Sequence, residues 1–235
     1  SSGIPPAYRT MVVIPALLTS GEEIDFLLRQ LALHYLGNAH GELGFALLSD
    51  FADAPEKHMP EDERLLARAK EGIRRLNREY GEGQTEAAGS VGPFFLFHRE
   101  RLWNAGEGQW MGWERKRGKL VEFNRLLRDG GETSFAVEMG DLDFLSSVEF
   151  VITLDADTVF PLDTAHQLVG TLAHPLNRAQ FEKPGATDRD STALEPGRVV
   201  AGYTVLQPRT EVKPTAVTQT RFARLFAGDA GLDLY

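Results

Sequence analysis

The chain has 235 residues, 42% of them hydrophobic, no cysteine, and 34 acidic against 25 basic residues for a net charge of −9. That is enough for one α/β domain or at most two, and the acidity speaks against a general nucleic-acid binder. Disulfides, thiolate nucleophiles and cysteine-based metal sites are excluded, and no apolar run approaches the ~20 residues of a membrane span.

Residues 1–7 (SSGIPPA) lack the basic and apolar regions of a signal peptide and are expected to be a disordered or added edge of a soluble domain. Residues 8–18 (YRTMVVIPALL) read as a buried strand ending at Pro15. Ser20 with Glu23 is a capping-box pattern, and Ile24, Leu27, Leu28, Leu31 and Tyr35 share one helix face until Gly37 and Asn38 stop it. Residues 44–49 (GFALLS) are a second strand, ending in Asp50-Phe51-Ala52-Asp53. A lone aspartate at a strand end forms turns, or hydrogen-bonds a base or ribose.

Residues 61–80 carry Leu65, Ala69, Ile73, Leu76 and Tyr80 at helical spacing, closed by Gly81. A Gly/Glu-rich loop follows to Gly92, then a short strand at 94–97 (FFLF) with His98 after it in a structural role. Residues 102–113 read as a loop whose three tryptophans cover core. Residues 115–129 begin basic and become amphipathic through Leu120, Phe123, Leu126 and Leu127. The basic turn at Arg115, Lys116, Arg117 and Lys119 is either a phosphate-binding helix start or a solvated basic face.

Residues 150–154 (FVITL) are a further buried strand, followed by Asp155 and Asp157. In extended chain, residues two apart face the same side, so both carboxylates can converge on one divalent cation or serve only to cap the strand and the next helix. Pro161 opens a helical pattern in Leu162, Ala165, Leu168, Val169 and Leu172. Residues 187–197 form a polar, mobile or inserted segment, 198–206 another strand, and 216–226 a helix. The alternation predicts an α/β fold: a mostly parallel sheet with helices on both faces and ligands beyond the carboxyl ends of its strands.

No Walker-A sequence, Gly-x-Gly-x-x-Gly after the first strand, or Gly-x-Ser-x-Gly is present. The stretch 150–158, with Gly228, Asp229 and Asp233, also looks like a haloacid-dehalogenase-type phosphatase with Asp155 as nucleophile. That nucleophile normally follows the first strand, whereas this pair follows at least three.

In order, VVIPALLTS (12–20), LLSDFAD (47–53), KRGKLVEFNRLL (116–127) and FVITLDADT (150–158) resemble the GT-A (Rossmann-like) glycosyltransferase fold of processive polysaccharide synthases. FLFHRERLWN (95–104), WMGWERKRGKLVEFNRLLR (110–128), GYTVLQPRTEV (202–212) and RFARLFAGDAGLD (221–233) are similar to the glycosyltransferase region of cyclic β-1,2-glucan synthases, from about Tyr8 onward. The resemblance implies a single GT-A domain fragment spanning 1–235, C-terminally truncated, taken from a protein in the bacterial inner membrane and facing the cytoplasm. It implies UDP-glucose as donor, a glucan acceptor, inversion at the anomeric carbon and Mg²⁺ or Mn²⁺ as cofactor. Ala16, Leu17 and Thr19 would then line the uridine, and Asp50 would contact the base. Lys119 would meet the diphosphate, Asp155 would sit near ribose or metal, and Asp157 would ligate the metal. Gln207 and Arg209 would face donor glucose or acceptor. The general base that inversion needs is expected beyond Tyr235, so the fragment is expected to bind nucleotide even if inactive alone. A non-catalytic nucleotide-sugar-binding module is the remaining alternative.

Overall fold

Met11, Val12, Val13 and Ile14 are four consecutive residues with no exposed surface, a run that only a strand covered on both faces can satisfy. They belong to β1 (Thr10–Leu18), which is followed by α1 (Gly21–Asn38), β2 (Leu43–Phe51), α2 (Asp62–Tyr80) and β3 (Phe94–Arg99). Next come β4 (Leu102–Asn104), β5 (Gln109–Met111), α3 (Arg115–Asp129), β6 (Phe135–Met139) and α4 (Leu142–Leu145). The last elements are β7 (Phe150–Thr153), α5 (Thr164–Ala173), β8 (Gln180–Phe181) and β9 (Val199–Ala201). The structure, a computed structural model, describes residues 3–39, 41–81, 92–182 and 198–208. Most of the loop expected at 81–92, the polar segment at 187–197, the helix at 216–226 and Arg209 lie outside the described residues.

The chain divides into two compact units, Ser1–Asn177 and Arg178–Tyr235. The first holds a five-stranded sheet in the order β6-β3-β2-β1-β7. All neighbours are parallel except β3 and β6, whose antiparallel pairing closes one edge. In the second, β8 and β9 pair antiparallel, with Gln180 opposite Ala201. The expected strand at 198–206 is thus three residues long, and Gln207 lies exposed beyond it.

Alternation sorts the strand side chains into two cores. Val12, Ile14, Phe45, Leu47, Phe94 and Leu96 pack against α1, α2 and α5 through Leu27, Leu31, Ile73 and Val169. Met11, Val13, Ala46, Leu48, Phe95 and Phe97 meet Phe123 of α3 and Leu145 of α4 on the opposite face. The fold is therefore Rossmann-like α/β, as the alternation of elements predicts. Ile4 is buried in the first core and residues Pro6–Tyr8 form a 3-10 turn, so the leading residues are packed from there on.

Three local differences bear on the site. First, β1 runs on past Pro15 and pairs with β2 as far as Leu18 opposite Phe51. Val13 O accepts from Leu154 N at 2.9 Å, and main-chain groups two residues apart in a strand face the same side. Proline's missing N–H therefore falls on the β7 side, where the pairing has already ended, and removes no ladder bond. Pro15 marks the point at which β1 and β7 separate.

Second, α5 starts at Thr164 rather than at Pro161. Residues 161–163 turn instead, Asp163 adopts φ 57°, and Asn38 at the end of α1 supplies the cap. Its Nδ2 donates to Pro161 O at 3.2 Å and its Oδ1 accepts from Ala165 N at 3.0 Å. Third, the expected loop at 102–113 is a hairpin, with Trp103 opposite Trp110. Asn104 Oδ1 accepts from Gly106 N and Glu107 N, closing the turn, and reciprocal bonds of 2.9 Å between Ala54 and Trp110 tie β5 to the segment after β2. Trp103 and Trp113 are 54% and 44% exposed rather than covering core.

Candidate functional site

On the α3 face, at the carboxyl ends of β2 and β3, stand two charged residues in register with buried apolar neighbours: Asp50 and Arg99, both buried. Burial works most strongly against the Arg99 charge, but the hydrogen bonds and charges of Asp50 and Glu122 together hold its pKa above the ordinary arginine value. All five N–H groups of the guanidinium have acceptors. Nε donates to Asp50 Oδ1 at 2.8 Å and Nη2 to Asp50 Oδ2 at 2.9 Å. Nη1 donates to Trp113 O at 3.0 Å and Glu122 Oε1 at 3.3 Å, and Nη2 also donates to Arg115 O at 3.0 Å. Glu122 Oε2 in turn accepts from Ser134 N at 2.8 Å and Ser134 Oγ at 2.7 Å.

Lys119 completes the network. Its ammonium is buried, 3.1 Å from Asp50 Oδ2, and donates to Ala16 O at 2.6 Å. Burial pushes the Lys119 pKa below the usual lysine range, with Asp50 opposing that push. Two carboxylates and two cations thus balance inside the protein, which is the condition under which buried charge is tolerated.

The network fixes the start of α3. Glu114 and Arg115 sit at φ 50° and 46°, a left-handed pair that non-glycine residues adopt only when the surroundings impose it. The carbonyls on either side of Glu114, those of Trp113 and Arg115, are the two that Arg99 holds. Glycines make this packing possible: a Cβ at Gly112 would lie 2.6 Å from Asp50 Oδ2, and one at Gly118 would lie 2.0 Å from Trp113 O. In an ordinary helix Gly→Ala gains roughly 1 kcal/mol. Gly118→Ala is expected instead to lose about 1–3 kcal/mol by overpacking, measured as a lower urea midpoint. A rise in the midpoint would refute the crowding.

Asp155 and Asp157 lie beyond β7, in a turn closed by Thr158 N donating to Asp155 O at 3.0 Å. They are thus not on an extended strand: β7 ends at Thr153, opposite Val13 and two residues before Pro15 of β1. Both aspartates are exposed. Lys116 Nζ, one helical turn before Lys119, contacts Asp155 Oδ1, with the two side chains 54% and 62% exposed. Such a surface pair is worth only ~0–1 kcal/mol, so a cation or a phosphate can displace it. No three His, Asp or Glu side chains among the described residues are grouped to hold a metal ion. Two hard oxygen ligands in one turn fit an ion that completes its shell with substrate phosphates and water, as Mg²⁺ does, and do not fit an all-protein cage.

The structure therefore brings together Ala16, Asp50 and Lys119, and separately Lys116 with Asp155. Leu17, opposite Asp50 in the sheet register, is 46% exposed, and Thr19 is exposed between β1 and α1. Gln207 belongs to the second unit. Arg99 and Glu122 escaped the sequence reading. A signal existed for the arginine: FFLFHR continues an apolar strand straight into a charge, which requires a buried partner. His98, on the other face, is buried 2.9 Å from Ser49 Oγ through Nδ1 and edge-on to Phe51, in the structural role its position suggests.

No protein-family model matches the chain. A protein of Rhizobium meliloti (strain 1021), cyclic beta-(1,2)-glucan synthase NdvB, is 43% identical over 237 residues, which takes in 99% of this chain. The chain spans 8% of the length of that relative. Among the described residues no helix is long and apolar enough to cross a membrane.

Proposed function

We propose that this chain is the donor-binding core of a glucosyltransferase that takes UDP-glucose and, with Mg²⁺ or Mn²⁺, contributes to β-1,2-glucan synthesis by an inverting GT-A mechanism. The carrying observation is the juxtaposition, at the carboxyl ends of parallel strands, of the β1 segment 16–19, the start of α3 and the turn bearing Asp155 and Asp157. That is where ligands sit in open α/β sheets, and the likeness to a glucan synthase segment runs through all three.

In this reading Leu17 and Thr19 offer a partly apolar edge to the nucleoside. Lys116, already beside Asp155, transfers its charge to the diphosphate, while buried Lys119 and Asp50 hold the shape of the pocket floor. Asp155 and Asp157 ligate the cation, whose chemistry is to neutralise the leaving diphosphate. A glucan supplies the attacking hydroxyl.

Calorimetry with UDP and UDP-glucose, with and without Mn²⁺, tests the reading. Binding is expected to need the metal, and Asp157→Asn is expected to weaken it tenfold or more, roughly 1.4 kcal/mol. Metal-independent binding, or an unaffected variant, would sink the metal role. A trapped phospho-Asp155 after reaction with a phosphate ester would transfer the assignment to a phosphatase.

A further inference from the structure

The hairpin β4–β5 and the turn into α3 enclose a cleft of about 540 Å³, within the ~300–1,000 Å³ range of small-molecule sites. Its apolar wall is made by Leu102, Trp103, Met111 and Trp113. Both indoles are large exposed aromatic surfaces held on fixed backbone. Trp103 is ordered by an edge-to-face contact with Trp110, ring centroids 5.8 Å apart, and Trp113 by the bond from Arg99 to its carbonyl. Exposed aromatic surface of this kind on a polar-rimmed concavity marks a binding surface rather than packing.

The rim decides the ligand class. Glu107 and Arg115 line it, and the guanidinium is already shared between Glu107 Oε2 at 2.6 Å and Asp53 Oδ2 at 3.0 Å. Glu114, also on the rim, accepts from Arg117 Nη1 at 3.1 Å. The charges are thus paired with one another. Three carboxylates, Asp53, Glu107 and Glu114, against two guanidiniums, Arg115 and Arg117, leave the rim without surplus positive charge for a phosphate, while their oxygens and N–H groups offer acceptors and donors to hydroxyl groups. Flat aromatic faces with a hydrogen-bonding rim that carries no excess of positive charge suit the C–H faces and hydroxyls of a pyranose ring.

We propose that this cleft binds a neutral, β-linked glucan through Trp103 and Trp113, an acceptor-holding site separate from the donor residues. The inference rests on the proposed glucosyltransferase reading for the identity of the sugar, and on the cleft itself for the class of ligand. The cleft and the donor site share one structural support: Arg99 holds the Trp113 and Arg115 carbonyls with one edge of its guanidinium and Asp50 with the other.

The test titrates a linear β-1,2-linked glucooligosaccharide into the chain without nucleotide or metal, read by tryptophan fluorescence and calorimetry. Saturable binding is expected, with Trp103→Ala and Trp113→Ala each weakening it at least tenfold and Trp103→Phe retaining most of it. Trp113 packs near Gly118; if its variant loses the fold by circular dichroism, Trp103→Ala decides the matter from the exposed hairpin. No saturable binding, or native affinity in Trp103→Ala, overturns the site. Displacement of the sugar by UDP alone would overturn it too, since that would make the cleft an anion site. Glucan binding in a chain that fails to bind UDP would leave the cleft standing and reject the donor reading. UDP binding without glucan binding would do the reverse.

Discussion

Replacing Arg99 by methionine is expected to lower the unfolding free energy by about 3–5 kcal/mol, the cost of removing one partner from a buried charge network. The substitution keeps side-chain volume near the original and removes all five donors at once. Asp50 would retain only Lys119, Glu122 would retain only Ser134, and the carbonyls of Trp113 and Arg115 would lose their bonds. Each buried acceptor left without a donor adds about 1–3 kcal/mol of desolvation cost, so the figure is set by the orphaned partners more than by the ion pair itself. Arg99→Lys should recover only part of the loss, because three donors on one atom cannot serve acceptors spread around a planar fork. Urea unfolding of the three proteins checks this. A loss below ~1 kcal/mol for Arg99→Met would mean that water or rearranged side chains satisfy the cavity. Because Arg99 also imposes the left-handed pair at Glu114 and Arg115, the same variant should loosen the start of α3, visible as a weakened near-ultraviolet dichroism signal from Trp113.

The second large effect is a loss of stability in acid governed by His98. Burial pushes this imidazole down from 6.5 to about 4, while Asp50 and Asp62 on one side and Lys119 and Arg101 on the other offset each other. The physical cause is visible at the ring. Ser49 Oγ donates to Phe97 O at 3.4 Å, so the consistent tautomer has Nδ1–H donating to Ser49 Oγ, and Nε2 is left buried without a partner. A bare lone pair there is tolerable; a second N–H with no acceptor is not. Above pH 6.5 both folded and unfolded forms are neutral and the full stability is present. As pH falls below 6.5 the unfolded chain takes up a proton and the folded chain does not, so stability declines until the folded ring titrates near pH 4. The span corresponds to about 3 kcal/mol. His98→Asn, which keeps a donor in the Nδ1 position, is expected to flatten the decline between those pH values in a series of urea titrations. An equally steep decline in the variant would assign the acid sensitivity to carboxylates instead.

Much of the fold is written in local signals. The runs MVVI, FALL and FFLF announce strands covered on both faces, because nothing else buries consecutive apolar side chains so economically. Ser20 marks the start of α1, and its Oγ accepts from Glu23 N at 3.1 Å, since a cap and its target lie three residues apart in sequence. The helical spacing of Leu65, Ala69, Ile73 and Leu76 identifies α2 and its buried face. The carboxylates at strand ends could likewise be picked out, because strand-end position in an alternating α/β chain already implies the ligand-facing edge.

Tertiary structure decided where partners are distant in sequence. Asp50 and Arg99 are 49 residues apart and Arg99 and Glu122 are 23 apart, so local sequence could not show that both Asp50 oxygens are engaged by the protein's own cations. Lys116 rather than Lys119 meets Asp155 because one turn of α3 separates an exposed ammonium from a buried one. The start of α5 shifted because its cap comes from Asn38, 127 residues away from Ala165. The hairpin at 102–111 was hidden because strands of three residues are too short to show a period, and it leaves Trp103 half exposed. Sequence alone thus determined which segments become strands and helices, through interactions that span one turn or one pleat. Which charges are spent on holding the protein together and which stay exposed depended on contacts that exist only once the sheet has brought its carboxyl ends side by side.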